Sequence, residues 1–190
     1  MLAVLQGLTE FLPVSSSGHL LLPAALLGWQ DQGLTLDIAA HLGTSVAVIL
    51  YLRRDLMDLF AGFFRWLLMR VESDESRLAL KLIVATLPAG FAGIALRAVI
   101  EANARSLVIV ATTSIIFAVL LWLADRSGAR RVNAVPFSEL TVPGALFIGV
   151  AQAFALIPGT SRSGVTMTAA RFLGLTREDS ARFSFLLSIP

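Results

Sequence analysis

Five apolar stretches dominate this chain, and two of them are broken in the middle by polar residues. A helix that crosses a bilayer needs about 20 mostly apolar residues. Segments 36–52, 78–100 and 106–124 meet or approach that length and are expected to span. The second holds Pro88, Gly90 and Gly93, which a membrane helix tolerates when its neighbours satisfy the freed backbone. Composition agrees, with 56% hydrophobic and only 15% charged residues, against about 25% charged in soluble domains. Cysteine is absent, which excludes disulfides and thiolate metal sites. Net charge is only +2, and no basic cluster interleaves with aromatics, so nucleic acid is not an expected partner. The first residues lack the basic start and small-residue cleavage pattern of a secretory signal.

The broken stretches constrain the fold most. Residues 2–12 are too few to span, and Pro13 with the run Ser15-Ser16-Ser17-Gly18-His19 interrupts them before the apolar character resumes to Leu27. Residues 142–157 behave likewise, broken by Pro158-Gly159 before 165–175. Irregular backbone at membrane depth survives only inside protein or along a watery cavity. Both regions are therefore expected to be re-entrant helical hairpins, over 2–27 and 142–175.

The two hairpins resemble each other. When residues 6–28 are laid over 152–174, Gln6 falls on Gln152, Ser15 on Ser161, Ser17 on Ser163, Gly18 on Gly164 and Gly28 on Gly174. An odd number of spans between the copies inverts the second. The expected architecture is a single all-α integral membrane domain over 1–190, an inverted-topology repeat with two re-entrant hairpins and several transmembrane helices. Repeat 1 covers about 1–126 and repeat 2 starts near 140. The next span of repeat 2 begins within 181–190, and the rest of that repeat is expected to be missing. Arginines and lysines concentrate in 53–81 and 125–141, which the positive-inside rule puts on the cytoplasmic side.

The polar turns carry the chemistry. Pro158-Gly159-Thr160-Ser161-Arg162-Ser163-Gly164 is a turn opening into a helix, whose free N–H groups attract anions. Ser161, Ser163 and Thr166 add hydroxyls, and the planar fork of Arg162 suits phosphate; the bland alternative is a capped helix with Arg162 reaching toward headgroups. In the first turn, Ser15 and Ser17 cap a helix, while Ser16 and His19 have the spacing of a nucleophile and its base. Glu10 stands four residues after Gln6, on one helical face; inside a membrane it needs a metal, a proton or a cation as partner. His41 sits among small residues and reads as a packed or hydrogen-bonded histidine, Asp37 as a cap. The stretch from Asp55 to Met69 reads as an interfacial amphipathic helix.

Together, Gln6-x-x-x-Glu10 with its serine-rich Gly-His turn and the Pro-Gly-Thr-Ser-Arg-Ser-x-x-Thr run resemble the bacterial undecaprenyl-diphosphate phosphatase family. The resemblance implies an integral membrane enzyme of the bacterial inner membrane, multi-pass. It would remove the terminal phosphate of a polyprenyl diphosphate lipid and so recycle the carrier for cell-wall synthesis. It also implies a divalent cation, Mg2+, and an active site toward the periplasmic side. On this sequence it makes Glu10, Ser16, His19 and Arg162 catalytic and assigns Ser15, Ser17, Ser161, Arg162, Ser163 and Thr166 to phosphate. Glu10 and Gln6 would hold the metal, although Gln6, an amide, leaves that motif one carboxylate. A homodimer is compatible with this reading. The rival from another class is a transporter or flippase for a lipid phosphate, which would use the same turns. The phosphatidic-acid-phosphatase pattern needs Lys and Arg-Pro elements that are absent here.

Overall fold

The computed structural model describes residues 2–30, 33–103, 106–129 and 135–189. Its helices are α1 (Leu2–Thr9), α2 (Ser16–Leu27), α3 (Gly33–Tyr51), α4 (Arg53–Met69), α5 (Asp74–Ala95), α6 (Arg97–Asn103), α7 (Leu107–Ala129), α8 (Val142–Ala153), α9 (Arg162–Leu173) and α10 (Arg177–Leu187). The fold is all-α, with no strand among the described residues beyond one isolated bridge.

Among the described residues two helices, α5 and α7, are long and apolar enough to cross a membrane, while α3 and α4 reach that standard only as a pair bent by 75°. The segment 78–100 divides differently from the sequence expectation. Its helix starts early because Ser73 and Ser76 form a reciprocal cap, and it ends at Ala95, after which α6 begins. Gly90 and Gly93 lie in the last turns of α5, where glycine weakens a helix.

The core lies where α5, α8, α9 and α10 meet, around Ala85, Ile148, Ala170, Leu175, Phe183 and Leu187. Gly149 sets the closest approach: a Cβ there would run into the backbone of Ala85. Small residues at such crossings let membrane helices pack backbone to backbone. At one end of the bundle Arg182 pairs with Asp55, Arg177 with Asp125, and Lys81 donates to the Ser138 carbonyl. Buried Arg171 donates to the carbonyls of Leu175 and Asp125, with its Nε 3.4 Å from the Asp125 carboxylate at ion-pair range. These bonds gather Asp55, Lys81, Asp125, Ser138, Arg171, Arg177 and Arg182 on one side.

Both broken regions are helix–turn–helix hairpins, α1–α2 and α8–α9. Their caps use the same side-chain bonds. Ser15 caps α2 by accepting from the Gly18 N–H at 3.3 Å, and Ser161 caps α9 by accepting from the Gly164 N–H at 3.1 Å. Ser15 pairs with Ser17 at 3.3 Å and Ser161 with Ser163 at 3.1 Å. Left-handed Gly28 and Gly174 close the two helices.

Candidate active site

The two turns meet, and Glu10 is the junction. It ends the first arm of the first hairpin, just past α1, and its side chain is almost fully buried. Its Oε1 accepts from Arg162 of α9 at 2.9 Å. Its Oε2 accepts from Gln6 Nε2 at 2.9 Å and from the Ser16 hydroxyl at 2.6 Å, and lies 3.4 Å from His41 Nε2. A carboxylate with three such donors, one of them a guanidinium, is stable at depth because its charge is paired and most of its lone pairs are occupied.

Helix geometry explains each placement. Gln6 reaches Glu10 across one turn. Ser16 and Arg162 are the first residues of α2 and α9, directly after their caps, so their side chains project from the two positive helix ends. A second bond, from Arg162 to the Ser188 carbonyl at 3.3 Å, ties the guanidinium to the end of α10. Beside the Glu10–Arg162 pair lies a cavity of about 330 Å³ lined by Ser16, Ser17, His41, Gln152, Thr160 and Ser161.

His41 is the residue whose position the sequence did not reveal. Its Nδ1 donates to the Asp37 carbonyl at 2.8 Å, one turn back on α3, because a carbonyl can only accept. That bond fixes the tautomer and turns the Nε2 lone pair toward Ser16, 3.5 Å away. His19 makes the equivalent bond, Nδ1 to the Ser15 carbonyl at 2.8 Å, but does not line the cavity.

The phosphate-binding candidates divide in two. Ser17, Ser161 and Arg162 line the cavity. Ser15 is buried as a cap, and Ser163 points across to the first hairpin, donating to the carbonyls of Leu12 and Glu10 at 3.2 and 3.4 Å. Thr166 is buried against Ser184 at 2.7 Å and donates to the Arg162 and Ser163 carbonyls. Those three hold the turns rather than face the cavity. Gln152 and Thr160 were legible only as the repeat partner of Gln6 and as a turn residue; both line the cavity, each with a buried oxygen that has no hydrogen-bond partner.

The whole chain, residues 1–190, matches the family described as bacitracin resistance protein BacA. The chain belongs to that family. It is similar to proteins named undecaprenyl-diphosphatase from Saccharophagus degradans (53% identical), Hahella chejuensis (54%) and Alcanivorax borkumensis (52%). All of this chain is covered in each case, and 70%, 70% and 71% of the relatives' lengths respectively. The BacA-family chain is thus a multi-pass membrane protein, and its two polar turns are in contact.

Proposed function

We propose that this chain hydrolyses undecaprenyl diphosphate to undecaprenyl phosphate and inorganic phosphate in the bacterial plasma membrane. The observation that carries the reading is the Glu10–Arg162 bond at 2.9 Å. It joins an acid–hydroxyl pair from one hairpin to an anion-binding helix start from the other, beside a cavity with room for a phosphate. The prenyl tail has its own surface, since apolar Leu20, Leu21, Ile38, Ile100, Ile157 and Pro158 line a hollow that adjoins the cavity through Ser17 and His41.

Arg162 and the N–H groups opening α2 and α9 bind the terminal phosphate and offset the charge that builds up on its oxygens. The Ser16 oxygen attacks the terminal phosphorus while Glu10 Oε2, at 2.6 Å, takes the hydroxyl proton. The bond from phosphorus to the bridging oxygen breaks, and undecaprenyl phosphate leaves with that oxygen. Glu10 gives its proton to the departing undecaprenyl phosphate and then takes one from the water that attacks the phosphoserine. The bond from phosphorus to the Ser16 oxygen breaks, Glu10 returns that proton to Ser16, and inorganic phosphate is freed. While Glu10 carries that proton, His41 Nε2, 3.4 Å from its Oε2, is placed to accept a hydrogen bond from it.

The donor set fits a hard divalent cation such as Mg2+, because every candidate ligand is oxygen and Mg2+ commonly takes one carboxylate plus substrate phosphates. Among the described residues no group of three or more acidic, histidine or cysteine side chains would hold a metal alone. Glu10 is therefore the anchoring ligand. Gln6 lies behind it, turning its amide nitrogen to the carboxylate. When bound, the cation would neutralise diphosphate charge that Arg162 alone does not balance. The side bearing the ion pairs of Asp55, Asp125, Arg177 and Arg182 is read as cytoplasmic, with the active site opening toward the periplasm.

The relatives carry a phosphatase name and lend no support to transport. The test is phosphate release from undecaprenyl diphosphate by the purified chain in detergent, with and without chelator. Release that stops on chelation supports the reading, and intact lipid diphosphate after many hours overturns it.

A further inference from the structure

Arg162 joins the two hairpins at Glu10, and its fork is tethered twice. Nη2 donates to Glu10 Oε1 at 2.9 Å, and Nη1 donates to the Ser188 carbonyl at 3.3 Å. Bonds from two different nitrogens fix the plane of the guanidinium and leave its remaining N–H groups for a ligand. Ser188 caps the C-terminal end of α10, where the helix dipole favours a cation. This helix belongs to neither polar turn, yet it reaches Arg162 a second time, through the backbone. The Arg162 carbonyl accepts from Thr166 Oγ1 at 2.9 Å. That bond, shared with the Ser163 carbonyl at 3.2 Å, uses the single Thr166 hydroxyl proton. Ser184 of α10 is therefore the donor in the 2.7 Å bond between the two hydroxyls. Both side chains are buried, where water does not compete for the bond. Ser180, one turn earlier and equally buried, spends its hydroxyl within α10, on the Thr176 carbonyl at the helix start.

We propose that Ser184 is a positioning residue for Arg162, and that the end of α10 supports the active site alongside the two hairpins. Phe183, Leu186 and Leu187 fix α10 in the core. From that anchor Ser184 acts through Thr166 on the first turn of α9, which carries Arg162, while the Ser188 carbonyl holds the far edge of the fork. Arg162 has to meet Glu10 and a phosphate together, and a misplacement of about 1 Å can cost up to about 10²-fold in rate. The inference rests on the phosphatase reading for its turnover readout, and anion binding gives a readout independent of hydrolysis.

The test is kcat for phosphate release, together with affinity for inorganic pyrophosphate in Mg2+, on the purified chain in detergent. Ser184→Ala is expected to lower kcat about tenfold and to weaken pyrophosphate about threefold. Ser180→Ala, an equal truncation of the same helix, is expected to leave both near wild type. In a Thr166→Val background, Ser184→Ala should add less than about twofold, because the bond it breaks is already gone. Melting temperatures identify any variant that fails to fold. Ser184→Cys, which keeps a weak donor of similar size, should lose less than Ser184→Ala and preserves the test if that variant does not fold. Wild-type kcat in Ser184→Ala overturns the proposal. So does an equal loss in Ser180→Ala, or an undiminished loss in the Thr166→Val background, either of which would reduce Ser184 to helix packing. Pyrophosphate binding that follows Ser184 in a chain that releases no phosphate would sink the hydrolase reading and leave the positioning role standing. A chain that neither releases phosphate nor binds pyrophosphate overturns both.

Discussion

The hairpins α1–α2 and α8–α9 share caps, serine pairs and closing glycines, yet they play unequal parts. The second is a platform. Its turn is bolted to α7, with Thr113 donating to the Pro158 carbonyl at 2.6 Å and Ser114 to the Gly159 carbonyl at 2.9 Å. Its helix α9 is buried from Ser163 through Thr166 and again across Thr168–Arg171. The first hairpin is held from outside: Ser163 of the second grips its turn carbonyls, and Arg162 grips its carboxylate. It leaves Val4, Leu8, Leu12, Leu26 and Leu27 exposed, a surface stable only against lipid or other apolar helices. One helix–turn–helix scaffold occurs twice. The two copies carry unlike residues at like positions, since Ser16 corresponds to Arg162 and Glu10 to Leu156, and all four line one cavity.

If the second turn is the platform, Gly159→Ala has the largest effect. Gly159 has φ 86°, and a Cβ there would strike Val110 and Thr113 of α7. The expected cost exceeds about 2 kcal/mol, read as loss of monodisperse protein and a fall in melting temperature. Pro13→Ala at the corresponding position is expected to be mild. Equal sensitivity at the two positions would erase the distinction between platform and guest.

Next come the residues that bridge the hairpins. Arg162→Lys keeps charge without the planar fork, and Glu10→Gln removes the charge that Arg162 binds. Each is expected to lower phosphate release about 10²–10³-fold in protein that still folds. Turnover within a few-fold of wild type for either variant would mean the reaction does not need the hairpins joined at that point.

A smaller effect is expected at His41, where the first hairpin leans on α3. His41→Leu removes the acceptor beside Ser16 and should lower kcat about tenfold with KM little changed. His41→Gln, which keeps an acceptor, should recover most of the loss. A Leu variant with wild-type kcat would leave Ser16 positioned by Glu10 alone.

The smallest difference separates the two caps. Ser15 sits at φ 61°, in the left-handed region, whereas Ser161 is extended at φ −74°. Glycine at Ser15 loses a cap worth a few tenths of a kcal/mol but relieves about 1 kcal/mol of backbone strain. Ser15→Gly is therefore expected to be neutral or stabilising and Ser161→Gly slightly destabilising. Melting curves giving the reverse order would show that the turns are strained alike.

Much of this was legible beforehand because it depends on local chemistry. Hydrophobic runs announce membrane helices, Pro13 and Pro158-Gly159 announce breaks, and Ser15 and Ser161 announce caps through contacts three residues away. The one-turn pair Gln6–Glu10 is visible for the same reason. Which hydroxyls face the cavity was not legible, because Ser161, Ser163 and Thr166 differ only in the direction each takes around one helix.

The sequence by itself determined the class of fold, the two polar turns and the residues able to handle a phosphate, since periodicity, caps and charge act over a few residues. The tertiary structure alone decided that Arg162 closes on Glu10 across more than half the chain. It also decided that His41, set by a bond to its own helix, completes the group around Ser16. Gln152, not Gln6, lines the cavity. Those choices belong to how α1, α3, α8 and α9 pack, and packing pairs residues that no local rule connects.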